Sequence, residues 1–435
     1  MSMEPEAPPP EQASDSEISL GYSYYVLGVL FTVYVFNFID RQVLAILLEP
    51  IKQDLQASDT AMGFLVGFAF VVFYTFAGIP IARWADRTSR RSVIALGLTV
   101  WSAMTAASGL ARSFTQLALA RIGVGVGEAA GSPPAHSLLS DYFPPERRAT
   151  ALSIYATGVY IGAMIAFMAG GYIREHFGWR LVYLLVGLPG IPLALLVRMT
   201  VRELPRGFSE SGPADTGVVS LGEVIRFLLS RRSFLYIAAG ASCQSLGGYA
   251  ILSWGPAFLE RVHQLGVVEI GTWLGLSVGI GGTAGAYLGG RLADRLGARN
   301  QSWYMRLPAI QALLGVPFVA GFLLLESAEL ALLSFLPFYF IANMYIGPML
   351  AMTQGLVKLR MRATASAILL FILNMVGLGL GSFVVGFSND QLAGRFGIEA
   401  IRYSLLGVAL VGGLASFFFL QASRTLREDL RARET

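Results

Sequence analysis

The sequence predicts an all-α integral membrane protein, with twelve transmembrane helices arranged as two six-helix halves. Three observations carry this expectation. The chain of 435 residues is 54% hydrophobic and only 14% charged, against about 25% charged in soluble domains. Its apolar runs fall into twelve stretches of about 20 residues each, the length that crosses a bilayer. The halves also repeat one another. Ala82-Arg83-Trp84-Ala85-Asp86-Arg87-Thr88-Ser89-Arg90-Arg91 follows the second stretch, and Gly290-Arg291-Leu292-Ala293-Asp294-Arg295-Leu296-Gly297-Ala298-Arg299 follows the eighth. Arg148-Ala149-Thr150-Ala151 before the fifth stretch is echoed by Arg362-Ala363-Thr364-Ala365 before the eleventh. Repeated halves with a binding site between them are the architecture of secondary transporters.

Taken in order, residues 1–23 form an acidic head (Glu4, Glu6, Glu11, Asp15, Glu17) with prolines at 8–10. That composition reads as a disordered tail. The first apolar stretch is too long, and its flank too acidic, for a cleavable signal peptide. The spans of the first bundle, 24–199, are placed at 24–48, 61–83, 92–111, 114–140, 149–172 and 179–199. Residues 200–232 are a polar linker, broken by Pro205, Gly207, Gly212 and Pro213. Its amphipathic stretch, 218–229, suits the cytoplasmic membrane surface, with Arg226, Arg231 and Arg232 near anionic headgroups. The second bundle, 233–422, holds spans at 233–259, 270–290, 303–325, 330–357, 363–387 and 401–422, before a basic tail at 423–435. In span seven, Gly247, Gly248, Gly255 and Pro256 predict a broken helix. Gly275, Gly279, Gly281, Gly285 and Gly289 in span eight, and Gly123, Gly125 and Gly127 in span four, predict close helix packing. They do not form a nucleotide loop, which needs a preceding strand.

The sequence pI near 9.2 comes from Lys and Arg concentrated in alternate loops. That is a positive-inside pattern rather than a nucleic-acid surface, and it places both termini in the cytoplasm of a cell inner or plasma membrane protein. The single cysteine, Cys243, and three scattered histidines supply no disulfide and no metal spacing. No cofactor is expected. A hydrolytic or transferase constellation, a soluble output domain and a Walker motif are all missing from the sequence, which argues against an enzyme, a receptor and an ATP-driven pump. The expected partners are a small amphiphilic or anionic substrate, protons and membrane lipids, with the chain working as a monomer.

Four ionisable residues fall inside otherwise apolar spans: Asp40 and Arg41 in span one, Arg121 and Glu128 in span four. Each costs roughly 2.5–3.5 kcal/mol at a membrane helix centre on insertion scales, so a polar pathway is the expected reason. At 1.5 Å per residue Asp40 and Arg121 lie at similar depth, with Glu128 roughly 10 Å further along Arg121's face. Asp40 and Arg41 project about 100° apart and should not share a partner. Asp40 and Glu128 are read as proton-coupling carboxylates. The alternative is a static ion pair that fixes the helices, but the second half carries no counterpart. Arg41 and Arg121 are candidate substrate anchors, because a guanidinium matches phosphate or carboxylate. Tyr249 in span seven, Asn343 in span ten and Asn374 in span eleven are further candidate contacts, whereas Trp254 also suits an interfacial anchor. A charged wall facing an apolar one suits a substrate with a charged head and a tail. Asp86 is expected beside a helix N-terminus, with Arg87, Arg90 and Arg91 at the cytoplasmic surface.

The loop segment around Ala85-Asp86-Arg87 resembles the cytoplasmic motif of the major facilitator superfamily. Arg121-Ile122-Gly123-Val124-Gly125-Val126-Gly127-Glu128-Ala129 resembles its fourth-helix motif, and Arg202-Glu203-Leu204-Pro205-Arg206 its segment after span six. Phe36-Asn37-Phe38-Ile39-Asp40-Arg41, Gly125-Val126-Gly127-Glu128-Ala129-Ala130 and Leu139-Ser140-Asp141-Tyr142-Phe143 look most like the Spinster family. That resemblance implies transport of sphingosine-1-phosphate or lysophospholipids, and a functional Arg at the place of Arg41. It also implies a cytoplasmic gate from Asp86, Arg87, Arg90 and Arg91, echoed by Asp294 and Arg295. The Asp-Arg pair also occurs in symporters of sugar acids and organic anions, which stay as the alternative. Ala82 stands where the motif usually has Gly, and span five lacks the Gly-Pro linked to drug antiporters.

Overall fold

Apolar runs of this length leave the backbone one way to satisfy its hydrogen bonds inside a bilayer, the helix. A computed structural model of the chain describes residues 18–209 and 220–431. Among them the helices assemble into twelve spans in two halves of six, an all-helical integral membrane protein. The remaining positions of the expected tails and of the linker lie outside the described residues.

Span one is a single helix, Leu20–Asp54, started by Ser19, whose hydroxyl accepts from Tyr22 N. This cap sets the start four residues ahead of the expected one. Span two is Asp59–Val66 and Phe68–Arg87, bent at Gly67; span three is Arg90–Ser108. Span four is Phe114–Glu128 and Ser132–Tyr142, span five Pro145–Phe177, and span six Trp179–Gly187 and Gly190–Thr200. A linker helix, Leu221–Ser230, leads to span seven, Arg232–His263. Span eight is Val267–Leu276, a π-helical Ser277–Gly282 and Thr283–Gly297; span nine is Trp303–Leu324. Span ten is Ala328–Ala342 and Ile346–Gly355. Span eleven is Arg362–Leu373, a π-helical Asn374–Gly381 and Ser382–Phe396. Span twelve is Ala400–Gly413 and Ala415–Arg431, whose last turns stay docked because Asp429 accepts from Ser233 N at 2.7 Å.

Helix breaks differ from expectation. Span seven runs unbroken through Pro256, because neighbouring helices enclose that stretch on all sides: Trp254, Ala257, Phe258 and Leu259 are buried. Span four is among the spans that are interrupted, at Ala129–Gly131, immediately after Glu128 and before Pro133 and Pro134. The glycines do pack: a Cβ on Gly125 would sit 2.6 Å from the Phe70 carbonyl oxygen, and one on Gly285 2.0 Å from that of Phe340.

With an even number of spans, both ends of the described chain lie at one end of the bundle, here the terminal end; the other is the far end. The apolar core divides accordingly. One cluster crosses both halves at the far end and includes Leu47, Ile51, Met62, Trp254, Phe258 and Ile270. Toward the terminal end each half has its own: Leu138, Phe143 and Val197 in the first, Phe234, Met361 and Phe419 in the second. Large apolar side chains such as Leu119, Leu313 and Leu410 are more than 60% exposed, as suits a surface facing lipid tails rather than water.

Candidate functional site

Because Asp40 and Arg41 are neighbours on one helix, their side chains turn to different partners. Asp40, 1% exposed, accepts from Arg121 Nη1 at 2.8 Å and from Thr105 Oγ1 at 2.6 Å. Both its oxygens are thus engaged. Arg41 donates through Nε to Glu128 Oε2 at 2.6 Å. The second Glu128 oxygen, Oε1, is buried without a hydrogen-bond partner. Such an acceptor is costly to leave unfilled. The two arginines also differ in access: the Arg41 side chain is 12% exposed, that of Arg121 2%.

Aromatic rings surround the Arg41–Glu128 pair. The Arg41 guanidinium lies 5.0 Å from the ring centres of Phe38 and Phe70 and 4.6 Å from that of Tyr74, cation–π distances that suit a desolvated cation. Phe70 stacks on Tyr74 at 5.5 Å, and Tyr34 links Phe38, at 5.1 Å, to Tyr155, at 4.3 Å. From the second half Tyr249 is half-buried, its ring packed beside Gly377 of span eleven. Asn343 donates to the Tyr339 carbonyl of its own helix at 2.8 Å, and half-buried Asn374 opens the π-helical turn of span eleven. Among the described residues every buried Asp, Glu, Lys or Arg belongs to the first half. Thr105 and the ring cage carried no signal in the sequence, since a threonine or phenylalanine in an apolar span is ordinary.

The loop between spans two and three corrects an expectation. Arg90 is not a surface charge: it is 1% exposed. It is paired with Asp141 and donates to Glu203 Oε1 at 2.8 Å, Ser137 Oγ at 3.0 Å and the Leu204 carbonyl at 2.7 Å. The linker returns beneath span three, and that return encloses Arg90. Arg91, half-buried, reaches the Val201 carbonyl at 3.0 Å. The carboxylate at the N-terminus of span three is Glu203, which accepts from Arg91 N and Ser89 Oγ, both at 2.9 Å. Burial would raise its pKa, but the Arg91 amide, Arg90 and Ser89 together hold it below the ordinary carboxylate value. The Asp86 side chain lies outside the described residues. Arg87 and Arg295 are exposed, and exposed Asp294 accepts from Tyr304 of its own half at 2.8 Å. Asp141 and Glu203 sat in segments the sequence had already singled out, without a role attached.

At the far end, polar groups join the halves. Arg261 of span seven donates through Nε to Glu49 Oε1 at 2.6 Å and through Nη2 to Asp59 Oδ1 at 2.9 Å. Arg174 of span five holds both oxygens of Glu260, at 2.9 and 2.6 Å. Glu49, Asp59 and Arg261 line a pocket of about 300 Å³ together with Lys52, Asn389 and Ile401.

Comparison with known proteins places the chain among transporters. The family model described as Major Facilitator Superfamily matches residues 30–382. An MFS-type efflux pump of Mycolicibacterium smegmatis is 36% identical over 94% of this chain and 94% of its own length. A hexuronate transporter of Bacillus subtilis is 26% identical over 92% of this chain and 94% of its own. Among solved structures, a bacterial homolog of the human lysosomal transporter Spinster, inward-facing and unoccupied, superposes with a TM-score of 0.87. It is 31% identical and covers 95% of this chain and 99% of that one.

Proposed function

The chain belongs to the Major Facilitator Superfamily and within it to the Spinster family, and from that premise we propose that it carries an anionic amphiphile across the membrane. It is a transporter rather than an enzyme. The substrate class is a lysophospholipid or sphingoid phosphate, moved by alternating access coupled to protons. The observation that carries the reading is the Arg41–Glu128 pair: an accessible guanidinium in an aromatic cage, held by a buried carboxylate with one oxygen free. A substrate phosphate or carboxylate can take the guanidinium from Glu128, which then takes a proton in place of its lost partner. Substrate and proton thereby share one binding event. Glu128 suits this role better than Asp40, whose oxygens both have partners and whose charge neutralises Arg121. Tyr249, Asn343 and Asn374 line the facing wall.

The basic loops support a cytoplasmic terminal end, which makes this conformation inward-facing, as in the Spinster homolog it resembles. Asp86, Arg87, Asp294 and Arg295 are assigned to the gate at that end, which closes when the far end opens, and Arg90 and Arg91, held by the linker, support it from within the first half. A sugar-acid or organic-anion symporter is the second reading, favoured by the shared Asp-Arg pair and the likeness to the hexuronate transporter. The ring cage and the uncharged second half favour the amphiphile. Thermal-shift titration with lysophospholipid, sphingoid phosphate and a hexuronate separates the two: the amphiphiles should stabilise the protein, and stabilisation by the hexuronate alone would reverse the assignment. In proteoliposomes, Glu128→Gln should still bind substrate but lose substrate-linked proton movement. Wild-type proton flux in that variant would remove Glu128 from the mechanism.

A further inference from the structure

We propose that Asp390 of the second half is a positioning residue for the transport cycle, capping in trans the helix that starts span two and so latching the far end shut. The inference rests on alternating access as read above, and not on the substrate or the proton.

The helix Asp59–Val66 begins with amides that have no partner within it. Its own cap, Ser58, serves one of them, accepting from Ala61 N at 3.1 Å. The other two point across the interface between halves. Asp390 Oδ1 accepts from Asp59 N at 3.1 Å, and Oδ2 from Thr60 N at 2.8 Å and Thr60 Oγ1 at 2.6 Å. One carboxylate therefore completes a helix start that lies more than 300 positions earlier in the chain. Gly386, one turn before Asp390 on the same face, makes the approach possible: a Cβ there would sit 2.1 Å from the Asp59 carbonyl oxygen. Neighbouring Asn389 donates to Asp59 Oδ2 at 3.0 Å.

The pseudo-symmetric contact lacks this feature. There span five meets the start of span eight, again glycine to carbonyl, with a Cβ on Gly171 2.9 Å from the Val267 carbonyl oxygen. The helix Val267–Leu276 begins at Gly266 with no side-chain cap. A need common to both helix starts would have produced a cap at both. The Asp390 cap also differs from Ser58 in its dependence on state. Ser58 travels with its helix, whereas Asp390 is present only while the halves are closed at the far end. Losing Asp390 should change the balance between states, and losing Ser58 should weaken the helix in every state alike.

Spin-label distances across the far end and across the terminal end, in the full chain in lipid, read that balance. Asp390→Ala should move it toward the far-open state by about three- to tenfold, the scale of a lost N-cap. Asp390→Asn should move it less, because an amide oxygen still accepts. Thr60→Val should move it in the same direction, and it keeps the test alive if Asp390→Ala fails to fold. Ser58→Ala should lower the melting temperature and leave the balance where it was. If Asp390→Ala and Thr60→Val lower the melting temperature as Ser58→Ala does but leave the two populations unchanged, the cap is structural and the proposal is overturned. If the wild-type chain keeps one far-end distance with and without substrate, alternating access itself fails and the latch goes with it.

Discussion

Arg41 and Arg121 show how little a residue type says by itself. Both are arginines in apolar spans, each opposite a carboxylate. Arg121 spends its charge on an Asp40 that Thr105 also holds, and it is almost closed off. Arg41 keeps surface among rings that tolerate a cation but cannot neutralise it. The difference predicts different phenotypes. Arg41→Ser should weaken binding of an anionic ligand by about 1.5–3 kcal/mol, the scale of a hydrogen bond to a charged group, and a neutral analogue much less. Titration of both ligands checks this, and equal losses for the two would make Arg41 a structural partner. Asp40, Arg41, Arg121 and Glu128 stood out in the sequence because charge in an apolar run is expensive. Their pairing was half legible: helical geometry separated Asp40 from Arg41, but nothing local brought Glu128 to Arg41.

At the scale of elements, the stretch from Thr200 to Ser209 acts as a clamp rather than a passive linker. It wraps the start of span three, and Glu203 and Asp141 close over Arg90 from two directions. Removing one partner from a buried charge cluster leaves the rest uncompensated, so Arg90→Ala should cost roughly 3–5 kcal/mol of stability. Glu203 also gives a pH signature. Its folded-state pKa lies below the ordinary value of 4.5, so its contribution is complete above that value and is lost as the pH falls through the lowered one. The melting-temperature gap between wild type and Glu203→Gln should therefore stay constant from pH 8 to about pH 5 and shrink below about 4.5. A gap that changes near neutrality would contradict the assignment. The segment was legible as a motif, yet Arg90 read as a surface charge, because burial by a distant linker leaves no trace in the residues around it.

For the whole molecule, the core is shared at the far end and divided at the terminal end, the arrangement that the proposed alternating-access cycle needs in one of its states. In that proposed cycle, ion pairs between the halves hold in one state only, and those within a half hold in both. Arg261 bridges to Glu49 and Asp59 across the halves, whereas Lys52 meets Asp59 inside the first. Arg261→Ala should thus raise the far-open population by at least about tenfold, as expected when a mostly buried pair is broken, and Lys52→Ala should have little effect. Hydrogen–deuterium exchange at the far ends of spans two and eleven measures this. Equal protection in Arg261→Ala and wild type would show that Arg261 does not hold that end closed.

The sequence by itself determined the membrane, the twelve spans, the repeated halves and the charged residues of the first half, because hydrocarbon punishes each polar group locally and the penalty is visible one residue at a time. It also set where glycine must let backbones approach. Only the tertiary structure decided which acid holds which base, that span seven stays unbroken while span four does not, that Glu203 sits at the start of span three, and that Asp390 completes a helix belonging to the other half. Those outcomes depend on contacts between segments as much as 331 positions apart. No local preference encodes them: they follow once packing has chosen which faces meet.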